Sequence, residues 1–322
     1  MKFKALSAFV APLALSLGLG IGGIATAQTV SVSSIVEHPA LDSVSQGAKD
    51  VLLEKGYNPD DGFKWQFQTA QGNTAIAAQI ARKFVGDDSD VIVAISTPSA
   101  QAVVAATKSI PVVYAAVTDP VAAQLVSTME PTGTNVTGVS DALALEDQVD
   151  LILRIVPDVK NVGMVYNPGE ANSVVVVEEL RKILSEKDIG LVEATAARTV
   201  DVGAAARSLV GKVDAIYTNT DNNVVSAYES LVKVGNDAKI PLIASDTDSV
   251  ERGAIAALGI NYYNMGRQVG EMVDRILQGE QPGDIPSEYG KELELYVNVD
   301  AARKQGVELD EELVAEAAKV IE

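Results

Sequence analysis

The sequence predicts an α/β protein made of two doubly wound, Rossmann-like lobes joined by a multi-strand hinge. Three observations predict it. Short β-branched runs alternate with helix-length segments along nearly the whole chain, the pattern of parallel strands joined by crossover helices. One strand–turn–helix–strand–turn unit occurs twice. It first spans 90–120, with strands over 91–95 and 112–116 and polar turns Ser96-Thr97-Pro98-Ser99 and Val117-Thr118-Asp119-Pro120. About 124 residues later it returns, with strands over 214–217 and 240–244 and turns over 218–223 and 245–248. Asp90 aligns with Asp214, Thr97 with Thr220, Ile110-Pro111 with Ile240-Pro241, and Asp119 with Asp246 to within a residue or two. Finally, about ten strands exceed what one lobe holds, yet no Gly/Ser-rich linker separates the halves. Short ordered crossings must connect them, which suits a hinge.

Taken in order, the chain opens on Lys2 and Lys4, an apolar run over 5–24 and Ala25-Thr26-Ala27. This is the layout of an export signal cleaved after Ala27. Gly18, Gly20 and Gly23 match a dinucleotide-binding spacing but lie inside that segment, outside any βαβ unit. A strand over 29–36 follows, then a helix over 43–55 stopped by Gly56, a strand over 63–69 and a helix from Asn73-Thr74 to Phe84. The repeat unit adds two strands. Thr97 reads as an N-cap with Pro98 at the first helical position, where no amide donor is needed. A strand over 135–139 completes this lobe. The second lobe reads as helix 145–155, strand 161–166, helix 174–187, strand 190–194, helix 202–210 and the second repeat unit, whose helix spans 224–234. After it come a strand over 254–258, a helix over 264–277, a strand over 293–299 and an acidic helix over 310–320. Crossings are expected near 141–145, 244–253 and 287–293. That makes 28–143 with 254–286 one lobe, and 144–253 with 287–322 the other.

Bulk composition narrows the function. The 322 residues are 47% hydrophobic and 21% charged, suited to packed domains, with a formal net charge of -19. Removing Lys2 and Lys4 would leave 23 basic against 44 acidic residues, a net of -21. Nucleic acid and anionic membrane surfaces call for a basic footprint, so both are disfavoured. The chain has no cysteine and a single histidine, His38. Disulfides, thiolate nucleophiles, a lipid-modified cysteine and multi-histidine metal sites are thereby removed. No cofactor, metal or catalytic residue is expected.

The turns Glu37-His38-Pro39-Ala40-Leu41-Asp42, Ser96-Thr97-Pro98-Ser99-Ala100-Gln101, Ala116-Val117-Thr118-Asp119-Pro120, Asn167-Pro168-Gly169-Glu170-Ala171-Asn172-Ser173 and Thr220-Asp221-Asn222 carry a resemblance. Together they resemble the substrate-binding proteins of bacterial ABC transporters with the type I periplasmic-binding-protein fold, whose better-known members bind tryptophan and related aromatic amino acids. The resemblance covers the chain from about Thr29 to its end. It implies a monomeric, periplasmic, non-enzymatic protein that closes on a small ligand, expected to be an amino acid, and docks to a membrane permease. A sensor that docks a chemoreceptor, or an exported α/β enzyme, are the alternatives.

Helix amino-termini hold anions without formal charge. The helices after Thr97 and after Thr220-Asp221 are therefore candidates for a ligand carboxylate, with hydroxyls from Thr97 and Ser99. The ammonium needs acceptors, and Asp119, Glu170, Asp221 and Asp246 sit on the polar turns; Asp221 is the foremost. His38, Thr118, Asn172, Ser173, Thr220 and Asn222 complete the expected ligand-binding set. Each also has a plainer role as cap or turn residue. For Tyr114, Tyr166, Tyr217, Tyr262, Tyr263, Trp65 and Phe67, core or edge packing is the first reading, and a sandwich around an aromatic ligand the second.

Overall fold

The computed structural model describes residues 28–322; the expected signal segment and its cleavage site lie outside the described residues. The chain runs β1 (Thr29–Ser34), α1 (Pro39–Glu54), β2 (Lys64–Thr69), α2 (Thr74–Gly86), β3 (Val91–Ile95), α3 (Thr97–Ala106), β4 (Val112–Val117) and β5 (Val136–Ser140). It then crosses to α4 (Leu145–Ile155), β6 (Asn161–Tyr166), α5 (Ala171–Glu186), β7 (Gly190–Thr195), α6 (Val202–Leu209), β8 (Ala215–Thr218), α7 (Asn222–Ser226), α8 (Tyr228–Ala238), β9 (Leu242–Ala244), α9 (Asp248–Glu251) and β10 (Ala256–Ile260). It returns through α10 (Tyr262–Leu277) and β11 (Glu288–Tyr289). It ends with β12 (Leu293–Asn298), α11 (Val299–Lys304), α12 (Glu311–Glu316) and β13 (Lys319–Ile321).

Two sheets result, ordered β11-β5-β4-β3-β1-β2 and β13-β12-β10-β9-β8-β6-β7. Five central strands of each sheet share one doubly wound order, second-first-third-fourth-fifth. All pairings are parallel except β10 with β12. The central strands are largely buried, every residue of β3 and β4 included, as expected when helices cover both faces. One apolar core surrounds the first sheet, and two lie on the faces of the second. In this topology ligands bind beyond the carboxyl ends of the strands, where strand order reverses.

The middle crossing differs from the expected one. Residues 254–258 were expected in the first lobe, but Ala256–Ile260 pairs with β9 and β12 in the second sheet. The chain changes lobes between Ile260 and Tyr262. β11, in turn, joins β5 of the first sheet. Periodicity shows that a run is buried, not which sheet buries it. α10 returns to pack on α1, and that contact requires glycine. A Cβ at Gly47 would lie 2.2 Å from Tyr263 O, and one at Gly266 2.2 Å from Val44 O. The expected terminal helix is short, and Lys319–Ile321 instead extends the second sheet beside β12. The expected helix over 224–234 begins at Asn222 and breaks at Ala227.

Candidate functional site

The carboxyl ends of the two sheets meet around a small cavity, with about 340 Å³ of atom-free space, part of it open to solvent. Its wall is assembled one turn at a time. His38 follows β1, Ser96 follows β3, and Ala116 and Thr118 end and follow β4; Asp141 follows β5. From the second lobe come Asn172 after β6, Thr220 and Asn222 after β8, Asp246 after β9 and Tyr262 after β10. The lobes touch here: the Thr118 and Thr220 hydroxyls lie 3.5 Å apart.

Three helices begin at this cavity without a side-chain cap. They are α1 at His38, α3 at Ser96 and α5 at Glu170. Of the other helices, α7 and α10 are capped at the same edge by Asp221 and Asn261, α2, α11 and α12 are capped by Asn73, Asn298 and Asp310, and α4, α6 and α8 have no side-chain cap. First-turn amides have no intrahelical acceptor, so the uncapped ends leave donors for an anion. The backbone is strained in the same place. Ser96 has φ 78° and ψ 149°, a region that favours glycine, and Ala116 has φ 52° beside a register shift in β4. The expected N-cap, Thr97, is instead the first helical residue, because the strained turn at Ser96 starts the helix one position earlier.

The other half of the site is anionic. Asp141 is buried; its Oδ1 accepts from Thr118 Oγ1 at 3.1 Å and its Oδ2 from Tyr262 OH at 2.9 Å. Asp246 is buried and accepts from Ser249 N and Oγ at 2.8 and 2.7 Å. Glu170 sits just behind the wall, where it accepts from the side-chain amides of Asn172 and Asn222. Burial pushes Asp141 and Asp246 above the usual carboxylate range. Burial first, then the neighbouring Asp221 charge, pushes Glu170 up to about 7. Among the described residues no ion pair involves these carboxylates. The nearby Arg252 is taken by Glu229, at 2.7 and 2.8 Å, and by Val225 O. His38 is held neutral, its pKa lowered to about 3 by burial and then by Arg252, and its Nδ1 has no partner.

The structure brings His38, Thr118, Asn172, Thr220, Asn222 and Asp246 of the expected set to this wall. Asp119 lines an adjoining chamber and spends Oδ1 on the amides of Val121 and Ala122. Five expected residues stand off both walls. Thr97 is buried in the first turn of α3, and Ser99 is buried with its hydroxyl 3.5 Å from that of Ser33. Glu170 orients side chains rather than lining the cavity. Asp221, the foremost acidic candidate, is consumed: it accepts from Asn167 N, Ser173 Oγ, Asn223 N and Val224 N at 2.6–3.1 Å. Ser173 is held in that same network. Sequence reasoning left Ser96 and Asp141 out of the expected set, and named Tyr262 only as a packing residue or a ring partner, not as the donor to Asp141. Asp141 had the available signal, an acid directly after a buried strand, but was read as a hinge residue only.

A family model described as ABC transporter substrate binding protein matches residues 29–321. The chain therefore belongs to the ABC transporter substrate-binding protein family, and its two-lobe fold is that of the type I periplasmic binding proteins. It is a family of binding proteins, not enzymes. The chain is 41% identical to a tyrosine-binding protein of Clostridioides difficile over 86% of this chain and 80% of that one. A conserved domain protein from Vibrio cholerae is 47% identical, with a TM-score of 0.90 over 92% of this chain and all of the other. A Streptococcus pneumoniae ABC domain in complex with L-Trp is 33% identical, with a TM-score of 0.88 over the same shares. A ligand-free, open substrate-binding protein from Clostridium difficile is 38% identical yet has a TM-score of only 0.68, over 91% of this chain and 99% of the other. Identity would rank the last two the other way. The overall structure is thus closer to that of the L-Trp complex than to the open, ligand-free one.

Proposed function

We propose that this chain is an extracytoplasmic binding protein that closes over an amino acid with an aromatic side chain and presents it to an ABC permease. One observation carries the reading: where the two lobes meet, buried carboxylates have no cationic partner among the described residues on one side, and uncapped helix amino-termini lie on the other. Buried charges require partners. A free amino acid supplies both, its ammonium for Asp141 and Asp246 and its carboxylate for the first turns of α1 and α3. The tyrosine-binding and L-Trp-bound relatives support an aromatic side chain. Export rests on residues 1–27, whose basic start, apolar run and Ala-Thr-Ala end support cleavage after Ala27.

Calorimetry and thermal shift with L-tyrosine and L-tryptophan test this, against tyramine, which lacks the carboxylate, and 3-(4-hydroxyphenyl)propionate, which lacks the ammonium. Both amino acids should raise the melting temperature. Each single-charge analogue should bind at least about tenfold more weakly, since a charge-assisted hydrogen bond is lost. Asp141→Asn should weaken binding by about 100-fold without lowering ligand-free stability, because it removes an uncompensated buried charge. If neither amino acid shifts the melting temperature, the reading fails.

A further inference from the structure

A second chamber adjoins the cavity, with about 770 Å³ of atom-free space, part of it open to solvent. The two share Thr118, Asp141 and Thr220 on their walls, so the 3.5 Å Thr118–Thr220 contact forms a neck between them. The first space is the smaller and is lined largely by polar turns. The second has the apolar walls a ring needs: Pro120, Met129 and Tyr289 from the first lobe, Leu145, Val176 and Tyr217 from the second. Thioether and aromatic walls of this kind suit a planar ring.

One buried polar group on this wall has no partner. Asn219 lines the chamber, is 2% exposed, and its Oδ1 accepts no hydrogen bond. Its amide orientation is set from behind. Asn219 Nδ2 donates to Ser173 Oγ at 3.1 Å, and Ser173 Oγ donates its own proton to Asp221 Oδ2 at 2.6 Å. Asp221 is fixed by three backbone amides. With the carboxylate as the final acceptor, Ser173 must accept from Asn219, and the Asn219 group left over is the carbonyl oxygen. The chamber wall also carries three carboxylates: Asp141, held by Thr118 and Tyr262, Asp119, which accepts from the amides of Val121 and Ala122, and the exposed Glu179.

We propose that this second chamber is the specificity pocket of the site and that Asn219 Oδ1 is its selecting acceptor, favouring aromatic side chains that carry a hydrogen-bond donor, a phenol O–H or indole N–H, over those that do not. Ser173 and Asp221 are positioning residues for it. This explains in physical terms why the acidic turn at Asp221 is spent on protein contacts. The inference rests on the amino-acid reading above. An unpaired buried acceptor penalises the ligand that lacks the matching donor.

The test compares affinities for L-tyrosine against L-phenylalanine and for L-tryptophan against 1-methyl-L-tryptophan, in the full mature chain. The wild type should prefer the donor-bearing member of each pair by about tenfold or more, the scale of one buried hydrogen bond. Asn219→Leu should abolish that preference while keeping or improving phenylalanine binding, which also shows that the variant folds. Ser173→Ala, which frees the amide to rotate, should reduce the preference and leave phenylalanine binding in place. Equal wild-type affinity within the pairs, or a preference that survives Asn219→Leu, overturns the inference while leaving the amino-acid reading intact. Binding of none of the four overturns both.

Discussion

The first turn of α3 and the first turn of α7 follow equivalent strands, the third in each lobe, and they are built in opposite ways. In the first lobe Ser96 occupies a left-handed backbone conformation, no side chain caps the helix, and the amide donors are left over. In the second lobe Asp221 caps α7 through Asn223 N and Val224 N and ties in Asn167 and Ser173 as well. The repeat is one of topology, not of chemistry. One copy spends its turn on capping and cross-links, the other holds it under backbone strain with no side-chain cap. A site for a zwitterion needs that asymmetry, because two like turns would offer two like charges to a molecule carrying one of each.

The largest way to break the comparison is Asp221→Ala. It removes a helix cap and leaves Ser173 and Asn167 N short of an acceptor, so it should destabilise the second lobe by about 2–3 kcal/mol. Urea denaturation should show the loss without ligand. An unchanged midpoint would mean that the capped turn is not the structural one.

A second way uses pH. The carboxylates around the cavity are raised above their ordinary values, with Glu170 at about 7. A raised acid binds protons in the fold before it does in the unfolded chain, so stability falls as pH rises through the interval between the two values. Glu170 therefore disfavours the fold fully above about 7 and not at all below its ordinary value of 4.5. His38, lowered to about 3, works the other way, costing stability only as pH drops below its ordinary 6.5. The ligand-free melting temperature should thus rise between pH 8 and 6.5, where the acid effect acts alone. Affinity for the amino acid should weaken as falling pH protonates Asp141 and Asp246, since protonated acids no longer attract an ammonium. Parallel trends in the two measurements would contradict the assignment of the acidic half.

The smallest effect sharpens the contrast. Ser96→Gly relieves a conformation that glycine adopts freely and should stabilise the ligand-free protein by about 1 kcal/mol. A differential scan should read this as a rise of a few degrees. A fall would place the strain elsewhere.

Much of the site was legible because polar turns at strand ends are a local signal. His38, Thr118, Asn172, Thr220, Asn222 and Asp246, which the structure gathers on one wall, were picked out that way. Asp221 was misjudged by the same rule: as a cap and as a ligand contact it reads identically in sequence. What separates the two is whether partners from elsewhere fill its lone pairs, here Asn167 and Ser173, about 50 residues distant. Asp141 was missed for the converse reason. Its neighbour Tyr262 comes from the other side of a lobe crossing, 121 residues on.

By itself the sequence determined the alternation of strands and helices, the two-lobed α/β fold and the polar turns at the strand ends. Those follow from apolar periodicity and turn chemistry, which act over a few residues. Only the tertiary structure decided which sheet claims β10, which turn is capped and which is strained, and which carboxylates are left without a cation. Such outcomes depend on long-range partners competing for the same buried hydrogen bonds, and local pattern carries no record of who wins.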